Sequence, residues 1–536
     1  MIESWSRGVR PYFLLALLGA LLYFPGIAAL PVLDRDEARF AQATRQMIES
    51  GDYLRIRFQD EARNKKPAGI YWLQAASVRL FGDAEAPAIW PYRLPSAFGA
   101  LAAVLLAFGL GKNFVGRKEA LIGAALLAAT LEPIAEAHIA KTDAVLLALA
   151  VAAQGALGIL YRGARTGAPV PSGWALLFWA AQGLAILIKG PIVPVLSLLA
   201  VIALSVADRD ARWLRQLRAW WGLPLAVLIV APWFIAINIA TQGGFVAEAV
   251  GHDLLGKLIG AQEGHGAPPL THLAVLLAAF WPAILFLGRG IARAWFERRG
   301  VAERFLIAWF VPFWILVELV PTKLPQYLLP AYPALALLIG RALVAGEPRW
   351  RRLDLIGGVL FAIVGVALAA GLVLLPIRYG AGLDPSTIAV AILLIAVGAA
   401  ALWTRVPALA VLASVIVAIP ATQVVAPRLE AIFVSEGAAR LAHSLPASAL
   451  PVAVVGYNEP SLIFLLGTRT AILPPDRAAE ALAQGKIAGA LVSRDREADF
   501  TEAMKKIGGE PRTGGNFAGL DYSTGKDVRL TLYPGR

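Results

Sequence analysis

The chain has 536 residues, 58% hydrophobic and only 16% charged, with a mean hydropathy of +0.65. Soluble domains carry about a quarter charged residues, so an ordinary soluble globular fold is excluded, and long apolar runs between short basic loops read as a polytopic helical membrane protein. There are no cysteines, which removes disulfides and thiolate metal sites. The net charge of +12 belongs to membrane loops and lipid headgroups, not to a nucleic-acid partner.

The first apolar run, 11–30, leads straight into a polar segment without a small-residue cleavage site, so it reads as a retained span and not as a signal peptide. Further spans are expected near 93–111, 119–137, 143–160, 173–189, 190–207, 219–240, 270–288, 303–320, 325–345, 354–376, 386–403 and 406–424, about thirteen in all. The basic residues then alternate by side. Arg7 and Arg10, the Lys112–Lys118 loop, Arg162 and Arg165, the four arginines of 209–218, the Arg289–Arg299 loop and Arg349–Arg352 share one face. The positive-inside rule assigns that face to the cytoplasm. The other face collects the loop 31–92, the His138–Asp143 turn, Lys189-Gly190-Pro191, the loop 241–269, Pro321–Gln326 and everything after about residue 425. Residues 1–424 are thus expected to form the membrane domain and 425–536 a soluble outer one.

The densest chemistry lies in residues 34–73. Asp36, Arg39 and Phe40 share a face if 36–49 is helical, whereas Glu37 points elsewhere. Such a helix is expected to lie along the membrane surface, its apolar stripe in the interface. Asp36 there is either a chemical carboxylate or a charge that complements the helix dipole. Lys65-Lys66-Pro67 offers ammonium groups suited to a phosphate, or to anionic headgroups in general. Tyr71-Trp72 follows. Glu132, Glu136, His138, Lys141 and Asp143 crowd a turn between two spans, without any specific metal spacing. The Gly-rich loop 241–269 carries His252, Asp253, Lys257, Glu263 and His265, and is either a lid or a solvated loop. Pro321–Pro333 opens a span with Lys323, Tyr327 and Tyr332 among its prolines, which suits a broken helix or an aromatic belt.

The last hundred residues change character. Pro451–Tyr457, Leu462–Leu466, Ile487–Val492 and Val528–Tyr533 read as strands, and Asp476–Gln484 and Ala498–Ile507 as helices, which makes a small α/β domain.

Taken in order, the polar segments resemble those of the GT-C glycosyltransferases that use polyprenyl-phosphate sugars, nearest to the lipid A aminoarabinose transferases and the bacterial protein mannosyltransferase-like group. The resemblance rests on Asp36-Glu37-Ala38-Arg39-Phe40-Ala41, Ser50-Gly51-Asp52, Lys66-Pro67 with Tyr71-Trp72, Thr142-Asp143, Lys189-Gly190-Pro191 and Lys323–Pro333, and covers residues 11–345. It implies a GT-C fold and an integral bacterial inner-membrane enzyme with its active site on the periplasmic side. The expected reaction is inverting transfer of a sugar from undecaprenyl phosphate to an acceptor, lipid A of lipopolysaccharide first. Asp36, Glu37 and Asp143 are then the expected catalytic carboxylates. Arg39, Lys66, Lys189, Lys257, Tyr71, Tyr327 and Lys323 are expected to bind the donor phosphate or sugar, with His252, Glu263 and His265 contributing from the loop. Two departures bear on this. Lys65 stands where the relatives carry an acid associated with metal binding, so a divalent metal is left open. Lys257 stands for an arginine and loses its bidentate fork. Other readings are a protein or envelope-glycan transferase of the same fold, a ligase using diphosphate-linked donors, and a non-enzymatic lipid flippase or envelope assembly factor.

Overall fold

The computed structural model describes residues 6–249, 251, 266–346, 350–446 and 450–535. Among these, eight helices are long and apolar enough to cross a bilayer: Trp90–Gly111, Asp143–Thr166, Ser172–Lys189, Ala219–Ala240, Pro325–Ala345, Arg352–Tyr379, Pro385–Thr404 and Pro407–Arg428. Two more expected spans are broken. Arg117–Ala129 bends by 60° into Leu131–Ala137, and Thr271–Ala279 bends by 103° into Ala283–Phe296. Of the remaining expected spans, Arg10–Tyr23 and Ile192–Asp208 are shorter apolar helices, and Val301–Leu319 carries Glu303, Arg304 and Glu318. Length and composition therefore support eight to ten spans where the sequence suggests about thirteen.

The breaks have a physical partner in each other. Thr130 is extended, and the N–H of Leu131 donates to the carbonyl of Trp281 at 3.0 Å, joining one break to the other. Broken helices are tolerated in a membrane where the freed backbone groups are satisfied in this way. Elsewhere the bundle is stitched by polar contacts, as where Gln154 and Gln182 both donate to Ser197 Oγ, at 2.9 and 2.7 Å.

The helix Asp36–Ser50 forms as expected and stops at Gly51, whose φ of 72° makes a left-handed cap. Its setting differs from a helix lying on the lipid surface. Phe40, Ala43 and Met47 belong to the core of the membrane bundle, and Ala38 and Ala41 to a second core shared with Leu462, Phe464, Leu530 and Leu532. Its apolar positions therefore face protein on two sides, not the lipid interface.

The C-terminal residues form a five-stranded mixed sheet from β1 (Val452–Val455), β2 (Ala471–Ile472), β3 (Gly489–Ser493), β4 (Gly515–Asp521) and β5 (Lys526–Pro534), in the order β2-β1-β3-β5-β4. β1 runs parallel to β2 and β3, and β5 pairs antiparallel with β3 and β4. The run at 462–466, expected as a strand, is instead the helix Pro460–Leu466, started by Pro460. Leu462, Ile463, Phe464 and Leu465 are all buried, and a short run buried all round has no periodicity to tell helix from strand.

Candidate active site

Arg35 opens the site. It sits before the Asp36 helix with φ 62° and ψ −105°, a conformation costly for a residue with a side chain, and its Nη2 donates to the Ser523 carbonyl at 2.9 Å. The first helical turn then presents two carboxylates in opposite settings. Asp36 is exposed. Glu37 is sealed: Arg93 Nε donates to its Oε1 at 2.8 Å and Nη2 to its Oε2 at 2.7 Å, with both side chains 0% exposed. The N–H groups of Ala140 and Leu33 donate to the same two oxygens, each at 2.8 Å. Arg93 uses its other N–H groups on the carbonyls of Ile27, Leu30 and Pro31. The expectation of a catalytic Glu37 is therefore corrected. With both oxygens occupied and no solvent, it fixes the loop, the helix and the His138–Asp143 turn to one another.

That turn holds a buried charge cluster. Lys141 Nζ lies 2.8 Å from Glu136 Oε1 and 4.0 Å from Asp143 Oδ2, while Lys189 Nζ donates to Asp143 Oδ1 at 2.5 Å. Thr142 Oγ1 donates to Asp143 Oδ2 at 3.3 Å. Burial disfavours the charge on Lys141, but Glu136, Asp143 and Asp36 outweigh it and raise its pKa. Asp36 thus acts electrostatically on the cluster, and its helix is tied to the same turn through Glu37 and Ala140. His138, in the same turn, places its two ring nitrogens 2.7 Å from the carbonyls of Ile134 and Pro25.

A glycine just after Lys66 packs on the helix that ends at Lys189. Gly69 packs so closely on the end of the Ser172–Lys189 helix that a Cβ would lie 2.6 Å from the Leu187 carbonyl oxygen. Lys66 precedes that contact by three residues in the chain, and Lys189 follows Leu187 by two. Lys66 is partly buried and Lys65 exposed. Arg39 lies one turn along from Asp36, within electrostatic reach of Glu459.

Other expected ligands have different settings. Tyr71 is 0% exposed, packed on Phe40 at 5.3 Å between ring centroids, and its hydroxyl accepts from Arg63 Nε at 3.3 Å. It supports Arg63, whose guanidinium lies 5.2 Å over the Phe40 ring, and does not face an open site. Lys323 is 8% exposed and donates to the carbonyls of Glu318 and Val320, at 2.6 and 2.8 Å. It caps the C-terminal end of the preceding helix, Val301–Leu319. Tyr327 stacks on His272 at 6.1 Å, and the Pro325–Ala331 turn packs against the Asp143–Thr166 helix. His252, Lys257, Glu263 and His265 lie outside the described residues. Among the described residues no three His, Asp or Glu side chains converge in a metal-binding group, so no metal ligands are assigned.

A second polar junction joins the loop to the C-terminal domain. Ser461 Oγ donates to Asp34 Oδ1 and lies 2.6 Å from the Ser435 hydroxyl, from which it can accept. The backbone N–H of Asp34 donates to the Tyr522 hydroxyl oxygen at 2.7 Å. Ser523 Oγ donates to Glu459 Oε1 at 3.0 Å. Burial, helped by the neighbouring Glu459 and Asp521, pushes the Asp34 carboxyl up to about 7 against the opposing pull of Ser461 and Arg35. Glu459 is raised for the same reason, burial first and Asp521 next. Sequence reasoning passed over Arg93 and this junction. An arginine inside the apolar run WPYRLPSAF was a readable signal, because a buried charge requires a partner.

The fold and the cluster together define a polytopic helical membrane protein of the GT-C fold. Residues 65–235 match the family model described as dolichyl-phosphate-mannose-protein mannosyltransferase. Over nearly its whole length the chain superposes on ArnT from Cupriavidus metallidurans bound to undecaprenyl phosphate, with a TM-score of 0.77, 18% identity and 98% of each chain covered. The archaeal oligosaccharyltransferase AglB from Archaeoglobus fulgidus shares the fold more loosely, with a TM-score of 0.53 and 13% identity over 94% of this chain and 71% of that one. In sequence, the chain is similar to the undecaprenyl phosphate-alpha-4-amino-4-deoxy-L-arabinose arabinosyl transferase 1 of Pseudomonas fluorescens, 27% identical over 380 residues. The match covers 68% of this chain and 65% of that relative, just under two thirds of its length.

Proposed function

We propose that this chain is an integral inner-membrane glycosyltransferase that moves a sugar from undecaprenyl phosphate to an acceptor on the periplasmic side, with lipid A as the acceptor. The observation that supports the reading is the buried cluster in which Lys189 and Lys141 flank Asp143, within electrostatic reach of Asp36; a donor's lipid tail can stay in the bilayer while its phosphosugar meets these groups. The similarity to the arabinosyl transferases supports the donor class.

Each group has a task in this reading. The leaving group is a phosphate, and cations held in place stabilise the charge that builds on it. Lys66 and Lys189 are the leading candidates, with Arg39 and Lys257 in support. Asp143 is surrounded by Lys189, Lys141 and Thr142, so it orients ammonium groups; it is not a free base. Asp36 is exposed and takes the proton of a hydroxyl acceptor; for a phosphate acceptor it positions the group. The test is transfer by the purified protein in liposomes, from undecaprenyl-phosphate aminoarabinose to lipid A, read by mass spectrometry of the lipid. Absence of any new lipid A species with active relatives run in parallel would refute the assignment of donor and acceptor.

A second reading is favoured by the family match over 65–235: the same donor chemistry with a protein acceptor. Glycoproteomics of a deletion strain separates the two, since only this reading removes glycopeptides.

A further inference from the structure

At the opposite end of the bundle, the helices Ile192–Asp208 and Val301–Leu319 pack side by side. The Asp208 side chain is 0% exposed there and is held by Arg304, by Arg165 at 3.6 Å and by the Tyr161 hydroxyl at 2.8 Å. Beside this knot the two helices part around a cavity of about 460 Å³. Ala203, Ala207 and Ala308 are too small to fill the gap, and Ile307, Val311 and Pro312 complete its apolar wall. Its mouth carries Arg298, Arg299 and Arg304. Arg304 is committed to Asp208, but Arg298 and Arg299 are exposed and have no carboxylate partner among the described residues. Arg298 stacks 5.1 Å over Trp295, itself 59% exposed in the manner of an interfacial aromatic residue. The neighbouring outward positions are apolar: Ile202 is 49% and Val206 71% exposed.

We infer that this slot binds one anionic glycerophospholipid, its phosphate between Arg298 and Arg299 and the first part of an acyl chain along the alanine-lined wall. A water-soluble anion would leave the apolar wall uncovered, and a zwitterionic lipid brings its own cation to a mouth that is already cationic. Basic pockets between membrane helices suit acidic headgroups for these reasons. The inference rests on the membrane-spanning fold and not on the transfer reaction, and none of these arginines belongs to the candidate active site.

The test is native mass spectrometry of the full-length protein in detergent, titrated with phosphatidylglycerol or with phosphatidylcholine of the same acyl chains. The wild type should retain one phosphatidylglycerol at a concentration about tenfold below that needed for phosphatidylcholine, and the R298A/R299A protein should lose that preference. Ala207→Phe, which fills the slot and leaves the arginines, should weaken phosphatidylglycerol retention as well. A melting curve of each variant without lipid shows whether it is folded; Ala203→Leu serves if Ala207→Phe is not. Equal retention of the two lipids by the wild type, or an unchanged preference in R298A/R299A, overturns the site. Full retention in a folded slot-filling variant reduces it to a surface charge patch and overturns it too. Displacement of phosphatidylglycerol by a polyprenyl phosphate, dependent on Arg298 and Arg299, overturns the assigned occupant.

Discussion

Glu37 and Arg93 form a two-pronged ion pair, at 2.8 and 2.7 Å, that is wholly buried and shares its carboxylate with the N–H groups of Ala140 and Leu33. The pair joins the loop before the Asp36 helix to the start of Trp90–Gly111 and to the turn before Asp143. Removing one partner of such a pair strands a buried charge and costs about 3–5 kcal/mol. Glu37→Gln and Arg93→Met should each lower the melting temperature in detergent and reduce transfer together with it. A Glu37→Gln protein with unchanged stability and no activity would restore Glu37 to the chemistry.

Asp36 should behave in the opposite way. It is exposed, so its loss uncovers little apolar surface. Asp36→Asn is expected to leave the melting temperature within about 2 °C of wild type while reducing transfer by about 100-fold or more. Near-normal turnover would make it a helix-dipole charge.

Asp143 and Lys189 should act as a unit. The carboxylate holds the ammonium at 2.5 Å, so losing either misplaces the cation. Asp143→Asn and Lys189→Ala should each cost about 100-fold in kcat, and the double substitution little more than either alone. Losses that multiply would show independent roles.

The adjacent lysines test the donor phosphate. Lys66 is partly buried and held by Pro67, whose ring restricts its backbone; Lys65 is exposed. Loss of a charge-assisted contact in a partly dry site costs on the order of 30- to 1,000-fold in rate, and a headgroup contact about fivefold. Lys66→Ala should be far more damaging than Lys65→Ala, measured with a defined polyprenyl-phosphate sugar. Equal mild losses would move the phosphate site towards Lys189.

The Asp34 junction should respond to pH. A carboxyl raised to about 7 in the folded protein, from an ordinary value near 3.8, binds more protons folded than unfolded between those limits. Stability from this group is therefore full below about 4, falls as pH rises, and is gone above about 7. Glu459 acts in the same direction, with Arg35 opposing both and Arg39 opposing Glu459. Hydrogen exchange at the contact between 31–35 and 459–461 should be slower at pH 5 than at pH 8, beyond the intrinsic pH effect, and Asp34→Asn should remove the difference.

The architecture was legible where chemistry repeats along the chain. Apolar runs marked the spans, and the helix at Asp36 announced itself by spacing. The ordered polar segments also led to the end of the bundle where Asp143 meets Lys189. What stayed hidden depends on partners distant in sequence. Nothing local says that Glu37 will find Arg93, 56 residues away, and without that partner it reads like Asp36 beside it. Tyr71 and Lys323 matched a motif, yet packing turned one inward and tied the other to backbone carbonyls. The bends at Thr130 and at Trp281 were invisible because an apolar stretch reads the same straight or folded. The expectation that the Asp36 helix rests on lipid failed because its second apolar face meets a domain encoded some 400 residues later, as in the contact from Arg45 to the Phe464 carbonyl, 419 positions apart.

That shared helix has an evolutionary corollary. Because Ala38 and Ala41 face residues of the C-terminal sheet while Phe40 and Met47 face the bundle, the two regions cannot be exchanged between relatives as independent modules. A recombinant that imports a foreign C-terminal region inherits mismatched surfaces on the helix bearing Asp36, and so disturbs a carboxylate hundreds of codons from the crossover. Lineages in which the tail diverges should therefore carry compensating changes at positions 38, 41, 42 and 45, even where the residues around Asp143 stay fixed.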